Sequence, residues 1–330
     1  MYPTRRLRFD AAKSKALRLG VQGALFVAGL GLVAYFVVTT GPRQVLDAFR
    51  AAGPILPLLA VLELVAVFAD ARAFAALAGP DARRIDRRGW LRSSAMSYVC
   101  LTLLPAGRTA SEVARASTLA RYVGAWRAAT AGAQLQAAAL VADGVISGLC
   151  ALVVVTAVAS AHHLPELLAG NVIIALGGGV GLLVLIQNPR VAAALARRFP
   201  RLFAKLVSTE GRPHSWGVGG SAWSFLGRLA QLLGHALAVH AVGGKLDVPT
   251  AAVAYGIHVV SATIGVAIPN QVGIADGAYV LFADTLGFAG APARALAAML
   301  AIRATQVALA LACLLVWLAV PPTQPQDSTV

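Results

Sequence analysis

The chain alternates long apolar runs with short polar segments. Six of the runs have about 18 to 33 residues, and a helix needs ~20 apolar residues to cross the ~30 Å hydrocarbon core of a membrane. In hydrocarbon the backbone must form its hydrogen bonds within the segment, which favours helices. The pattern therefore predicts an all-α polytopic membrane protein with spans at residues 19–38, 54–77, 128–160, 169–186, 221–242 and 295–320.

Two other apolar segments, residues 93–122 and 250–287, are interrupted near their centres. Each consists of a short apolar piece, a break and a second short piece. A piece of this length is too short to span a membrane, and proline with glycine favours a turn. We therefore predict two re-entrant helical hairpins, and the residues expected to break their helices are Pro105, Gly107, Pro269 and Gly273.

Lysine and arginine are unevenly distributed among the polar segments, and the formal net charge is +14. Three segments carry five or six Lys or Arg residues each, whereas the loops between them carry two or fewer. Cytoplasmic loops are enriched in these residues. We therefore predict a multi-pass protein of the cell inner (plasma) membrane with both termini in the cytoplasm, and the predicted cytoplasmic segments include 1–18, 81–92 and 190–212.

The two hairpins occupy matching places in the two halves of the chain. Glu112 follows Pro105 by seven residues, and Asp276 follows Pro269 by seven. Two spans precede each hairpin and one follows it. The first hairpin follows a basic loop and the second does not, so they are expected to enter from opposite sides, as in transporters built from inverted repeats. The predicted organisation is a basic N-terminus (1–18), one membrane domain (19–320, with repeats at about 19–160 and 169–320) and a polar C-terminal tail (321–330).

The composition limits the classes of function. Only 13% of the residues are charged and 58% are hydrophobic, against about 25% charged residues in a soluble domain. No basic stretch is interleaved with aromatic residues, so the positive charge does not indicate nucleic-acid binding.

The three cysteines, Cys100, Cys150 and Cys313, lie in apolar runs without the spacing of a zinc site or a disulfide framework, and they are expected to be packing residues. Because no catalytic or nucleotide-binding motif accompanies a suitable fold, we expect no enzymatic activity, metal or cofactor.

Ionisable side chains inside apolar spans are costly and mark candidate functional sites. Glu63 and Asp70 share one face of the second span, and Arg228, Gln231 and His235 form a polar stripe on the fifth. The residues that we predict to bind or translocate a lipid are Arg108, Glu112, Arg115, Asp143, Asn270, Asp276 and Arg303.

Two of these assignments have structural alternatives. Glu112 and Arg115 lie three residues apart on a predicted helix, so they can form a salt bridge that only closes the hairpin. Asp143 either lines a polar cavity or pairs with an arginine for assembly.

Arg303 lies about a third of the way into the last span, where an arginine that faced lipid would cost at least ~2.5 kcal/mol. The last span directly follows the second hairpin, so it is expected to pack along it and bring Arg303 within reach of Asp276. Asp143 is expected on the corresponding face of the other half. We therefore predict that Arg303 lies between the two aspartates and lines the same central cavity as the hairpin tips.

The hairpin sequences resemble those of a known family. The first hairpin contains LLPAGRTASEVARASTLARYVG, which resembles the Pro-Gly-Glu-Arg-Leu signature of the lysylphosphatidylglycerol synthase transmembrane (flippase-like) family. The second hairpin and the last span resemble its second signature, with AIPNQVGIADGAYVLFADTLG followed by ALAAMLAIR. The resemblance covers roughly residues 20–320, and the matching residues are Pro105, Gly107, Glu112, Arg115, Pro269, Gly273, Asp276, Gly287 and Arg303.

The chain departs from the family pattern in two places. Ala139 and Leu140 stand where the third span of the family usually has a Glu-Arg pair before its aspartate. Asp276 stands where a glutamate is usual. Both changes bear on the headgroup that the protein accepts, and the first bears on whether it is active.

The resemblance implies a membrane module that moves or positions lipids. We therefore expect a flippase-like protein whose partner is a membrane lipid, either an anionic phospholipid or an isoprenoid-type lipid. The alternative is a non-transporting accessory protein that docks a lipid-modifying enzyme through its basic cytoplasmic loops. Movement of labelled lipid between the leaflets of liposomes distinguishes the first interpretation from the second.

The loop charges generate a topology prediction. Single cysteines introduced at His163 and at Lys205 should react with a membrane-impermeant reagent from opposite sides of the membrane, because the first position lies in an uncharged loop and the second in a basic one. The measurement is labelling of intact and permeabilised cells. Labelling of both positions from the same side would contradict the orientation and the inversion together.

Overall fold

The computed structural model describes residues 33–39, 41–158, 163–188 and 218–321, together with 27, 31, 190–191 and 197–198. Within these ranges the regular structure is helical. The α-helices from residue 41 onward are α1 Pro42–Ala52, α2 Leu56–Ala78, α3 Arg87–Leu103, α4 Gly107–Val123, α5 Ala125–Ala157, α6 Leu164–Gln187, α7 Val218–Ala241, α8 Val248–Ile264, α9 Ile274–Leu281 and α10 Pro292–Ala319.

Four helical segments are long and apolar enough to cross a membrane. They are Pro42–Arg84, Ala125–Ala157, Leu164–Gln187 and Pro292–Ala319, and they coincide with the predicted second, third, fourth and sixth spans. The predicted fifth span is the 24-residue α7, which is less apolar because its polar stripe lies within it.

Several predicted segments lie wholly or largely outside the described residues. They are the basic N-terminus (1–18), most of the first span (19–38), the basic loop (190–212) and almost all of the C-terminal tail (321–330).

Helices α3 and α4 form the first predicted hairpin. Asp86, immediately before α3, caps that helix by accepting a hydrogen bond from the Gly89 amide at 2.7 Å. The Tyr122 hydroxyl, at the far end of α4, donates to the same Asp86 carboxylate at 3.2 Å. The beginning of α3 and the end of α4 therefore lie side by side, and the two helices run antiparallel.

Helices α8 and α9 form the second hairpin, which has a longer break. Asp247 caps α8 by accepting a hydrogen bond from the Thr250 amide at 2.8 Å. After α9 the chain returns through a series of turns, and the Phe288 ring comes within 3.0 Å of the position that a Cβ atom on Gly244 would occupy. The chain therefore leaves this hairpin close to where it entered.

The two hairpins approach from opposite ends of α10. Arg92 on α3 donates a hydrogen bond to the carbonyl oxygen of Trp317 at 2.9 Å, near the C-terminal end of α10. At the other end, the Arg294 guanidinium lies beside Gly243, just before the second hairpin. The hairpin tips meet between these ends, where the Ala106 amide donates to the Val266 carbonyl oxygen at 3.1 Å.

The breaks follow from local sequence. Leu104 has an extended conformation (φ −102°, ψ 151°), as expected for the residue before a proline. Ala106 (φ 50°) in the first break and Asn270 (φ 48°) and Gln271 (φ 50°) in the second are left-handed. Asparagine tolerates this region better than most residues do. The helix that enters each hairpin therefore stops at its break.

Helices α5 and α10 organise the packing. Helix α5 contacts α2, α4, α6, α7 and α8, whereas α10 contacts α1, α2, α3, α7 and α9. Both helices bury many alanines, which permits close approach of neighbouring backbones. This arrangement leaves room for a cavity where the two hairpin tips meet.

The cap of α8 generates a stability prediction. Replacing Asp247 with Ala should destabilise the protein by about 1 kcal/mol, because an N-cap acceptor is lost, whereas Asp247→Asn keeps an acceptor and should have little effect. The hydrogen bond from the Thr250 amide lowers the pKa of the Asp247 carboxyl. The ionised cap therefore contributes at neutral pH, and its contribution is lost as the pH falls through the lowered pKa. Thermal unfolding in detergent measures this, and equal unfolding temperatures for all three proteins would contradict the assignment.

Candidate functional site

A cavity of about 400 Å³ lies where the two hairpin tips meet. Its walls come from α2 to α8, from α10 and from both breaks. Many of the side chains that line it are polar although they belong to apolar helices. They include Glu63, Tyr98, Arg108, Gln136, Asp143, Tyr255, His258, Asn270 and Gln306.

The first tip presents the N-terminus of α4 to the cavity. Gly107, Arg108 and Thr109 all line the wall, so the amide groups of the first helical turn lie at this wall. A Cβ atom on Gly107 would overlap the carbonyl oxygen of Leu101. Glycine is therefore required for α4 to start this close to the end of α3.

Arg108 has no acidic side chain within ion-pair distance among the described residues. The carboxylates of Asp143, Asp70 and Glu112 act on it electrostatically from farther away. A guanidinium in this position is held in the cavity wall with its hydrogen-bond donors available. It can therefore donate to an anionic group that enters the cavity.

The second tip is held by a buried ion pair. Asp276 Oδ2 accepts hydrogen bonds from Arg303 Nη2 at 2.8 Å and from the Gly273 amide at 2.7 Å. Arg303 Nη1 donates to the carbonyl oxygen of Asn270 at 2.7 Å. The predicted contact between Arg303 and Asp276 is therefore confirmed.

The predicted position of Asp143 relative to Arg303 is wrong. Asp143 Oδ1 lies 2.8 Å from Arg228 Nε on α7, so Arg303 does not lie between two aspartates. Arg303 also does not line the cavity; its hydrogen-bond partner Asn270 does. The reason is that α7 packs against α5 and brings its own arginine to Asp143.

The predicted lipid-binding residues divide into two groups. Arg108, Asp143 and Asn270 line the cavity. The other four form ion pairs behind its wall: Asp276 with Arg303 at 2.8 Å, and Glu112 with Arg115 at 3.6 Å. The Asp276–Arg303 pair links the second hairpin to α10, whereas the Glu112–Arg115 pair lies within α4. Of the two groups, only the first lines this cavity.

Several lining residues were not among the predicted site residues. Glu63 is the main one: its carboxylate accepts hydrogen bonds from Gln306 Nε2 at 2.8 Å and from the Tyr98 hydroxyl at 3.3 Å. The sequence had marked Glu63 as an ionisable residue in a span. Gln136, His258 and Gln306 carry the same kind of signal, since each is a polar residue inside an apolar run.

The rim of the cavity has both apolar and polar exposed side chains, since Thr109 and Thr263 also line it and are exposed. Ile174 on α6 and Val266 in the second break both line it, and they are 60% and 61% exposed. Between them, Thr263 on α8 donates to the Asn171 side chain on α6 at 2.5 Å. The cavity therefore combines a polar interior with exposed apolar side chains at its edge.

Comparison with known proteins gave one match. A family model described as "Lysylphosphatidylglycerol synthase TM region" matches residues 21–313. No curated protein and no solved structure matched the chain.

The Arg303 contacts generate a prediction about the second tip. Arg303→Lys keeps the charge but cannot place two donors on Asp276 and on the Asn270 carbonyl at once. Leaving a buried acceptor without its donor costs about 1–3 kcal/mol, so we expect a lower unfolding temperature in detergent. Arg294→Lys on the exposed start of the same helix is the matched control. An Arg303→Lys protein as stable as this control would show that the paired geometry is unimportant.

Proposed function

The chain belongs to the lysylphosphatidylglycerol synthase TM region family, and from this membership and the central cavity we propose that it binds a membrane lipid and translocates or positions it. The lipid headgroup enters the cavity while its hydrocarbon chains stay outside the rim. The proposed ligands are anionic phospholipids or isoprenoid-type lipids that carry a phosphate.

One observation carries this proposal: the cavity holds Arg108, an arginine without an ion-pair partner among the described residues, and the exposed apolar side chains of Ile174 and Val266 form part of its rim. A soluble anion would match the arginine but not the rim. A purely apolar ligand would match the rim but would leave Arg108 unpaired, which is costly inside a membrane. An amphiphile with an anionic headgroup satisfies both.

The phosphate would bind at the first tip. Arg108 supplies a guanidinium, and the first turn of α4 supplies backbone amides at the positive end of a helix. Asn270 and Gln271 from the second tip line the same cavity and can donate hydrogen bonds from their side-chain amides. A headgroup held in this way would contact both hairpins.

The proposed topology has six spans and two re-entrant hairpins in inverted repeats, with both termini in the cytoplasm. The approach of the hairpins from opposite ends of α10 supports the inversion. The length of α7, 24 residues, corresponds to about 36 Å of helix and supports a span despite its polar stripe. Under this topology the tips meet near the middle of the membrane.

The proposed activity involves no chemical transformation of the lipid, so the protein is proposed not to be an enzyme. The alternative is an accessory protein that holds a lipid-modifying enzyme at the membrane without moving lipid itself. Both share the same membrane domain, and they differ in whether purified protein moves lipid.

The test is lipid movement in liposomes that contain the purified protein. Wild-type protein should move labelled phosphatidylglycerol or a labelled polyprenyl phosphate between leaflets. Arg108→Ala should slow this movement at least about tenfold, since a hydrogen bond to a charged group contributes about 1.5–3 kcal/mol. Arg108→Lys should retain part of the rate because it keeps the charge.

Arg121→Ala is the matched control, because Arg121 lies on the exposed end of the same helix. It should move lipid like the wild type. Equal rates for Arg108→Ala and wild type would remove Arg108 from the headgroup site. Wild-type protein that moves no lipid but retains a lipid-modifying enzyme in a pull-down would favour the accessory function.

A further inference from the structure

Glu63 and Asp70, both on α2, form no ion pair among the described residues, and Glu63 also lines the central cavity. Asp143, Asp276 and Glu112 each have an arginine within 4.0 Å. Glu63 lines the central cavity near the middle of α2, and no basic side chain among the described residues lies within that distance. Its hydrogen-bond partners, Gln306 and Tyr98, are neutral.

A carboxylate in this place would be a buried charge without a counter-ion, which is costly in a membrane. It can be neutralised by a proton or by an external cation. Both carboxylate oxygens already accept hydrogen bonds, Oε1 from Gln306 at 2.8 Å and Oε2 from Tyr98 at 3.3 Å. A proton on Oε1 requires only that the Gln306 amide exchange its donor for its acceptor, whereas a bulkier cation requires new coordination space.

Gln306 can serve both protonation states of Glu63. Its Nε2 donates to the ionised carboxylate, and its Oε1 is buried without a hydrogen-bond partner in the part of the chain that the structure describes. If the side-chain amide flips, so that its oxygen and nitrogen exchange places, the oxygen faces Glu63 and accepts a hydrogen bond from the protonated carboxyl. The unpaired oxygen thus has a partner only when Glu63 carries a proton.

Glu63 also lines two cavities that can hold water. On one side it lines the central cavity, and on the other it lines a small cavity of about 10 Å³ shared with Gln231 and His235. That volume is about what one water molecule needs. Water on either side can therefore deliver a proton to the carboxylate or remove one.

Other titratable or charged groups surround this position. Asp70 lies on the same helix, Tyr98 on α3 and His235 on α7 across the small cavity. The groups that share the central cavity with Glu63 are Arg108, Asp143, Tyr255 and His258. The nearest charged residue on α10, one turn from Gln306, is Arg303, which is already paired with Asp276.

We propose that Glu63 is a proton-binding site and that its protonation accompanies the movement of lipid through the cavity. The proton comes from water in one of the two cavities, bonds to Glu63 Oε1 and later returns to water. The coupling to lipid rests on the proposed function, whereas the proton-binding site does not.

Infrared spectroscopy of the purified protein tests the site directly. Glu63→Gln mimics the protonated form and keeps hydrogen bonds to Gln306 and Tyr98. A pH titration should therefore show, in the wild-type minus Glu63→Gln difference spectrum, the carbonyl stretching band of the protonated Glu63 carboxyl. It should shift in Gln306→Leu, which removes the acceptor.

Glu166→Gln is the control, because it removes an exposed acid at the start of α6 and should leave this band unchanged. A difference spectrum between the wild type and Glu63→Gln that contains no such band at any pH would overturn the assignment to Glu63. A band that is lost in Glu63→Gln but insensitive to Gln306→Leu would overturn the role of the amide.

A pH gradient across liposomes tests the coupling. If one proton accompanies each lipid, one pH unit should shift the leaflet ratio of labelled lipid by up to about tenfold, and Glu63→Gln should lose this response to the gradient. Lipid movement by the wild-type protein that does not respond to the gradient would overturn the coupling. The proton-binding site itself would then be tested by infrared spectroscopy alone. Absence of any lipid movement would instead contradict the proposed function.

Discussion

The ion pair between Arg303 and Asp276 supports the centre of the molecule, because it satisfies the backbone groups that the second break releases. Asp276 accepts from the Gly273 amide, and Arg303 donates to the Asn270 carbonyl. Without water or a neighbouring strand, these groups would otherwise be unpaired. The first break depends in turn on the second, since the Ala106 amide finds its acceptor at Val266. The cavity between the tips exists only while both breaks are held.

The sequence predicted the helices and their breaks more completely than the side-chain contacts between helices. Run length and loop composition were sufficient to place the long helices and both breaks, because these depend on local properties of the chain. The contact of Arg303 with Asp276 was also predictable, since the last span directly follows the second hairpin. The partner of Asp143 was not, because it depends on how α5 and α7 are rotated against each other. Apolar helices carry little periodic signal that would fix this rotation.

Single residues in the cavity wall show the same limit of prediction from the sequence. Glu63 was recognisable as a costly group, but its neutral partners come from α3 and α10, which are distant in sequence. Ala139 and Leu140, where the resembled signature has a Glu-Arg pair, show what replaces those charges here. Ala139 is buried and Leu140 lines the cavity. Helix α5 therefore has no arginine next to Asp143 at these positions, and Arg228 on α7 pairs with Asp143 instead.

The contact between the hairpin tips also bears on how readily the two tips separate and, under the proposed function, on how fast a lipid passes between them. Ala106 and Val266 both line the cavity, so water there can replace their shared hydrogen bond when the tips separate. Exchanging a protein–protein hydrogen bond for one to water changes the free energy by only about 0.5–1.5 kcal/mol. A separation that breaks only this contact is therefore only a few times RT above the closed state. Under the proposed function, thermal motion would open this contact repeatedly without nucleotide hydrolysis, and a gradient would set the direction of net transport.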